Sequence, residues 1–416
     1  KLILLDEEHD SSYKQQDGMR YHARDIAIMR AKQLNIPIVM GSATPSLESW
    51  ALAKKQQFGL LRLTNRAVTA AKLPKIHCID IGKSTTDNGL SPNLIDAIRS
   101  RLARGEQSLL FINRRGYAPV LHCNACQWLA PCSRCSARLV VHLNQKVLKC
   151  HHCGNTQKIP IHCPSCGNAD ISPIGQATQR LEKSLADIFP NAAIARVDRD
   201  SMRNKGELAK LLKAVYDKKI DILVGTQMLA KGHDFPHLTL VGVIDTDTAL
   251  FSPDFRASER LFSQLMQVSG RAGRAEKPGE VLIQTTFPQH ALFDAIRAQD
   301  YERYAETLLD ERTAMQFPPT SYFALIKAEA IDYKQVLTFL DNAVKYANDI
   351  KSDVMIYDPL RPQMERLKGM ERGQLLLQAS SRHALQQLLR RWMPMLRADK
   401  AGTKVRWSLD MDPLEF

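Results

Sequence analysis

Eight of the chain's nine cysteines fall in four C-x-x-C pairs, Cys123/Cys126, Cys132/Cys135, Cys150/Cys153 and Cys163/Cys166. A two-residue spacer lets both sulfurs of a pair reach one ion. Two pairs then complete a tetrahedral Cys₄ set with zinc–sulfur bonds of about 2.3 Å. Eight thiolates predict two such zinc sites. Metal binding is expected over disulfides, because the N-terminus has no charged-then-apolar secretion signal. A closed Cys₄ site is structural, so no zinc catalysis is expected. His122, His142, His151, His152 and His162 lie nearby but are not needed as ligands; they read as surface or phosphate contacts. Cys78, in an apolar strand, reads as a core residue. Four pairs on two ions can be shared sequentially, crossed or nested. The spacer 127–131 is too short for a ribbon, whereas 136–149 reads as a hairpin turning near Leu143-Asn144-Gln145. A hairpin joins its ends, so it predicts Cys132, Cys135, Cys150 and Cys153 on one ion. Cys123, Cys126, Cys163 and Cys166 then hold the other.

The second group is acidic. KLILL runs straight into Asp6-Glu7-Glu8-His9. Acids at the carboxyl end of a buried parallel strand stand where such sheets bind ligands. A Mg²⁺–nucleotide complex needs one carboxylate near the metal and a second to orient water. Asp6 suits the metal and Glu7 the water, with His9 beside them. The competing reading is an acidic cap on the next segment. The expected partner is a phosphate loop, G-x-x-x-x-G-K-[ST]. Gly82-Lys83-Ser84 is the one candidate, but His77 stands where the first glycine should be and no helix follows. A phosphate loop is therefore expected upstream of Lys1, and the chain reads as a fragment or as one whose start has been removed. The complementary half is QVSGRAGR (267–274), which offers Gln267, Arg271 and Arg274. An arginine on a γ-phosphate contributes about 10³–10⁵ in rate elsewhere. A plain helix terminus with a glycine cap explains one arginine and one glycine, not the pair.

These groups need elements to carry them. KLILL and NIPIVM (35–40) read as strands around the helix 19–34, the order of a parallel α/β sheet. A second α/β run starts with the helix SPNLIDAIRSRLARG, capped by Ser91, and the strand 108–113. It resumes after the cysteines with helices at 177–189, 205–217 and 254–270 and strands at 193–198, 221–226, 238–247 and 280–286. The cysteine cluster reads as inserted into one α/β domain. From about 290 the alternation changes to a smaller α+β unit. The expected divisions are 1–72, 73–120, 121–170, 171–289 and 290–416. No repeat beyond the cysteine pairs and no low-complexity segment occurs.

Composition narrows the partners. Fifty-seven basic residues against 44 acidic give a net charge of +13. That favours a polyanion, nucleic acid before membrane. No run of about 18 apolar residues suggests a membrane span.

DEEH (6–9), GSATPS (41–46), GTQMLAKGHDFP (225–236) and QVSGRAGR together resemble motifs II, III, V and VI of superfamily 2 helicases. FINRRGYAPVLHC (111–123), followed by the cysteine pairs, is similar to the PriA family of primosomal replication-restart helicases. The resemblance covers essentially the whole chain. One departure is Gln176-Ala177, where a Gly-x-Gly-Thr run is expected. The resemblance implies part of a first RecA-like lobe, a second lobe with a two-zinc insertion, and a small C-terminal domain. It implies an ATP- and Mg²⁺-dependent 3′→5′ DNA helicase acting at stalled or repaired forks, with the phosphate loop and N-terminal DNA-binding domains outside this chain. The chain alone is then expected to be inactive. Ser42 and Thr44 would couple hydrolysis to DNA contact. Tyr13, Tyr21, His22 and Arg24 would lie in an aromatic-rich loop that senses single strands, where bases stack. Thr226, Gln227, Lys231 and Asp234 would meet DNA backbone or nucleotide. Implied partners are single-stranded and forked DNA, single-stranded DNA-binding protein, and the primosome proteins PriB and DnaT, in a bacterial, nucleoid-associated cytoplasmic setting. The basic helix 382–397 reads as a packing helix or as a seat for an acidic peptide tail. The rival function is a zinc-containing nucleic-acid-binding protein with a degenerate ATPase fold.

Overall fold

The computed structural model describes residues 1–63, 73–83, 86, 89–112, 120–133, 138–142, 146–150, 154–173, 184–197, 206–225, 235–252, 254–273, 278–362 and 364–415. Of the residues singled out above, Arg274, Thr226, Gln227, Lys231, Asp234, Cys135, Cys153, His151 and His152 lie outside the described residues. So do the 143–145 turn, the Gln176-Ala177 departure and most of the helix read at 177–189.

The chain begins with a parallel strand pair, Ile3–Leu5 against Ile38–Met40, in the register Ile3↔Ile38. The helix Ala23–Leu34 connects them. Leu2, Leu4 and Val39 are exposed, Leu4 by 67%. Parallel strands normally have both faces covered, so this pair presents an uncovered apolar face.

The main body is a six-stranded sheet in the order 194–197, 222–225, 107–112, 238–244, 280–285 and 75–80, with every neighbouring pair parallel. Apolar side chains on both faces explain the central position of Leu238–Ile244, which is buried throughout. One face carries Val241, Val243, Leu261, Phe262 and Phe293; the other carries Leu94, Ile98, Leu110 and Leu240. The segment 73–92 is a connector whose strand, Lys75–Asp80, closes one edge of the sheet. Gly82 in that connector gives its N–H to Asp80 Oδ1 (3.0 Å), and Lys83 stands exposed beside the same carboxylate at 3.6 Å. The region read as one helical stretch, 291–315, is two helices, Ala291–Ala298 and Tyr301–Ala314. Gln299 breaks it with a left-handed φ of 54°.

The cysteine-rich module has a strand pair, 121–123 with 171–173, and a three-stranded sheet, 140–142, 147–149 and 156–158. The expected hairpin is its first two strands; the third was not anticipated. The C-terminal unit is an antiparallel sheet with helices Tyr333–Asn348 and Arg382–Ala398. The second helix turns Leu385, Leu388, Leu389, Trp392 and Leu396 inward, and Trp392 donates to the Ala343 carbonyl at 2.9 Å. Its Arg390, Arg391 and Arg397 remain exposed. Among the described residues no helix is long and apolar enough to cross a membrane.

Candidate nucleotide site and metal centre

Strand Ile3–Leu5 ends at Asp6, and the chain then turns sharply. Glu7 has a left-handed φ of 48° and gives its N–H to Asp6 Oδ1 at 3.0 Å. Such backbone in a non-glycine residue costs on the order of 1–3 kcal/mol and needs support. Glu8 supplies much of it. Its N–H donates to the Gly41 carbonyl (3.1 Å), tying the turn to the second strand. Its carboxylate is 2% exposed and fully engaged. Oε1 accepts from the Ser46 N–H at 2.6 Å; Oε2 accepts from Arg24 Nη1 (3.1 Å), Ser46 Oγ (3.1 Å) and Ser49 Oγ (2.9 Å). Ser46 also caps the helix Leu47–Lys54. Glu8 is therefore structural, while Asp6 stays exposed and Glu7 half-exposed. Glu7 Oε2 is a buried oxygen with no hydrogen-bond partner, 3.6 Å from His9 Nδ1.

His9 joins the two α/β bodies. Gln267, on the helix Ala257–Ser269, donates its amide to His9 Nε2 at 3.1 Å. An accepting Nε2 leaves the proton on Nδ1, which donates to Ser42 Oγ at 2.6 Å. Ser42 Oγ also accepts from the Thr44 N–H at 3.0 Å. Asp6, Glu7, His9, Ser42, Thr44 and Gln267 thus form one connected group. Arg271 follows four residues after Gln267, half-buried, just past the helix end. Gly279 lies beneath this turn: a Cβ there would come within 2.4 Å of the Ala272 backbone. That contact requires glycine and fixes how closely the arginine turn seats on the sheet.

A buried ionic network reinforces the junction. Glu259 Oε1 accepts from the Leu47 N–H (2.9 Å), and Oε2 pairs with Arg312 at 2.6 Å. Arg256 pairs with Glu48 at 2.6 Å. Burial alone would raise the Glu48 carboxyl. The guanidiniums of Arg256, Arg24 and Arg312 outweigh it and hold Glu48 well below the usual carboxylate range. Tyr301 donates to the Pro45 carbonyl and packs edge-on against Trp50 at 5.7 Å. A cavity of about 570 Å³ opens beside this network, lined by His9, Arg24, Glu48, Gln267 and Arg382 among others.

Within the 10–25 segment, residues 14–22 form a small hairpin, its stem made by Lys14 facing His22 and by Gln15 N–H donating to the Tyr21 carbonyl. Tyr21 is 41% exposed. Tyr13 donates its hydroxyl to the Asp6 carbonyl (2.8 Å). Arg24 is buried and committed to Glu8, Ser46 and Asp25. His22 is half-buried; burial, then Arg24, push its pKa from 6.5 down to about 4. Of the proposed base-stacking residues, Tyr21 is the one that faces solvent.

In the module, the Sγ atoms of Cys123, Cys126, Cys163 and Cys166 lie within 4.8 Å of one another. Cys123–Cys166 and Cys126–Cys163 are 3.7 and 3.6 Å apart. Bonds of about 2.3 Å to a tetrahedral ion demand sulfur–sulfur edges of about 3.8 Å, so the donor set fits zinc. Each knuckle closes alike: the Gln127 N–H donates to the Cys123 carbonyl (2.9 Å), and Gly167 to Cys163 (2.9 Å). Both closing residues are left-handed, with φ of 60° and 75°. Gly154, φ 73°, donates to the Cys150 carbonyl in the same way at 3.0 Å. Of the inner four, Cys132 and Cys150 are described, and both are buried in the module's own core. Gln127 anchors the module to the main sheet through the Thr286 carbonyl at 2.9 Å.

Sequence reasoning missed Glu8, Glu48, Arg256, Glu259, Arg312 and Lys14. A Ser-x-x-Ser pair at 46 and 49, both facing a helix start, was the available signal for Glu8. The others are charged residues in amphipathic helices or a loop, with nothing local to mark them as buried.

Residues 313–414 match the family model for the primosomal protein N C-terminal domain, and 132–158 match the PriA DNA helicase Cys-rich region domain. The replication restart protein PriA of Haemophilus influenzae is 44% identical over 415 residues, 100% of this chain and 56% of that protein. The Bacillus subtilis protein of the same name is 38% identical, covering 99% of this chain and 52% of its own length. The chain therefore spans about half the length of these relatives. Among solved structures, RecG bound to a three-way DNA junction covers 74% of this chain and 29% of its own, at 14% identity and a TM-score of 0.34, too distant to bear on function. With the module and C-terminal unit each matching family models, and its full length matching these relatives, the chain is similar along its whole length to part of the PriA replication restart proteins.

Proposed function

We propose that this chain is the C-terminal portion of an ATP-dependent 3′→5′ DNA helicase that restarts replication at stalled or repaired forks. The observation that carries the reading is the Gln267–His9 hydrogen bond, which brings the acid turn and the arginine turn together across two α/β bodies. The exposed apolar face of the first strand pair further supports a larger first lobe in the complete protein. Asp6 would hold the magnesium ion, and the unpartnered Glu7 Oε2 would orient water. Arg271 and Arg274 would meet the phosphates. Bound Mg²⁺ would supply Lewis-acid charge neutralisation at the phosphates. His9, sharing its two ring nitrogens between Gln267 and Ser42, would relay relative movement of the two bodies to the Ser42–Thr44 turn.

DNA would contact Tyr21 of the hairpin and the 226–234 segment, with Thr226, Gln227, Lys231 and Asp234. The cysteine module would hold two structural zinc ions, each contributing folding free energy on the order of 10 kcal/mol. Single-stranded DNA-binding protein, PriB and DnaT are the proposed protein partners, and the exposed arginines of the helix Arg382–Ala398 suit an acidic tail. The test is ATP turnover by a protein carrying these residues and the segment preceding them, with and without single-stranded DNA. Stimulation by DNA, reduced at least about tenfold by Gln267→Ala, is expected. No stimulation would favour a zinc-containing nucleic-acid-binding protein with a degenerate ATPase fold.

A further inference from the structure

Lys14 and Asp410 stand almost at opposite ends of the chain, yet they form a buried ion pair. Lys14 Nζ lies 2.8 Å from Asp410 Oδ1, with side chains 3% and 2% exposed. The same ammonium donates to the Met411 carbonyl at 2.6 Å. Both acceptors belong to the strand Arg406–Met411 of the C-terminal unit. Arg20, across the hairpin, donates to Ser408 Oγ of that strand. Lys327 approaches Asp410 from the neighbouring strand at 3.4 Å.

Joining two domains does not require such a pair. Apolar residues of similar volume usually serve as well, because taking two charges out of water offsets their attraction. What the pair adds is one fixed position for Lys14. The residue before it is Tyr13, whose hydroxyl holds the Asp6 carbonyl at 2.8 Å. Asp6 is followed by the left-handed Glu7, a turn that relaxes unless it is held.

We propose that Lys14 is a positioning residue: pinned by Asp410, it fixes Tyr13 and thereby the Asp6–Glu7 turn, so the C-terminal domain forms part of the hydrolytic site's framework. The proposal rests on the reading of Asp6 and Glu7 given above. Its first test does not use catalysis. Amide hydrogen exchange of the 416-residue chain is compared for the wild type, Lys14→Met, Asp410→Asn, Tyr13→Phe and the double variant Lys14→Met/Asp410→Leu. Lys14→Met and Asp410→Asn should speed exchange over residues 6–9 and over the hairpin by at least about tenfold. The double variant, whose apolar side chains join the domains without fixing one position, should restore protection of the hairpin and leave residues 6–9 loosened. Tyr13→Phe should loosen residues 6–9 and leave the hairpin protected. In the complete protein, Lys14→Met should lower kcat for ATP by about tenfold to hundredfold with KM little changed, and the double variant should not restore it.

Unchanged exchange over residues 6–9 in Lys14→Met and Asp410→Asn, with the hairpin loosened, would overturn the proposal, since the pair would then only join domains. Unchanged exchange in Tyr13→Phe would do the same. Should the wild-type complete protein turn over no ATP, the hydrolytic reading fails, while the exchange results still decide the linkage.

Discussion

Glu7 and Glu8 are neighbours of one chemical type with opposite surroundings. Glu8 is enclosed by Arg24, Ser46 and Ser49; Glu7 offers an unpartnered oxygen near His9. In the complete protein, Glu7→Gln should abolish ATP turnover and leave nucleotide binding and thermal stability intact. Glu8→Ala should instead lower stability by about 3–5 kcal/mol, because it removes the buried carboxylate that pairs with Arg24 and accepts from Ser46 and Ser49. Equilibrium denaturation beside a nucleotide-binding titration separates the two. Arg274→Ala should cut turnover by at least about 10³ if it stabilises transition-state charge; a loss below about tenfold would assign that role to another arginine. His22 carries a pH signature. Its folded pKa of about 4 lies below the ordinary 6.5. As pH falls from 6.5 towards 4, the unfolded chain takes up a proton that the folded chain refuses, so stability drops across that window. His22→Gln should flatten the slope of melting temperature against pH there, and an unchanged slope would place the ring in ordinary solvent. The DEEH pattern suggested Asp6 and Glu7 as the acting acids, but not that Glu8 is structural, because that depends on what packs around each carboxylate.

At the scale of elements, the helix Ala257–Ser269 and the cysteine knuckles do the positioning. The helix meets the first body through Gln267, four residues before Arg271, and through Glu259. The knuckles of Cys123 and Cys163 face each other because strands 121–123 and 171–173 pair antiparallel. Double substitution of Cys123 and Cys126 by serine should leave one zinc per chain, held by Cys132, Cys135, Cys150 and Cys153. Adding Cys150→Ser should remove that ion too, as metal analysis of the purified protein would show. If the remaining ion depends on Cys163 and Cys166 instead, the nested arrangement is wrong. The hairpin that suggested nesting could be read locally, from two short apolar runs around a polar turn. The strand 156–158 could not, since Thr156-Gln157-Lys158 is polar and becomes a strand only by pairing with its neighbour.

At the scale of the molecule, the first strand pair and the C-terminal unit meet at the 10–25 segment, and the main sheet's helix meets the adjoining His9. The acid half and the arginine half of the proposed nucleotide site are both in this chain. The pattern of a phosphate loop is not met at Gly82-Lys83-Ser84, where His77 stands in place of the first glycine. The 416-residue chain alone should therefore bind ATP poorly and hydrolyse none, with or without single-stranded DNA. Measurable DNA-dependent turnover by this polypeptide would refute that.

What the sequence by itself determined was everything that short-range pattern encodes. The alternation of apolar strands and amphipathic helices specified a parallel α/β body. The cysteine spacing specified metal-binding knuckles, since two residues between thiolates suit one ion whatever surrounds them. The acid and arginine motifs marked the residues proposed for the two halves of a site. Tertiary structure alone decided which charges are buried. Arg24 read as a contact for single-stranded DNA and is buried on Glu8; Glu259, Arg256 and Arg312, which no local pattern singled out, form the junction. It also decided that Lys14 meets Asp410. The physical reason is range. Periodicity and spacing act over a few residues of chain, whereas the desolvation and Coulomb attraction that settle a buried ion pair depend only on distance in space.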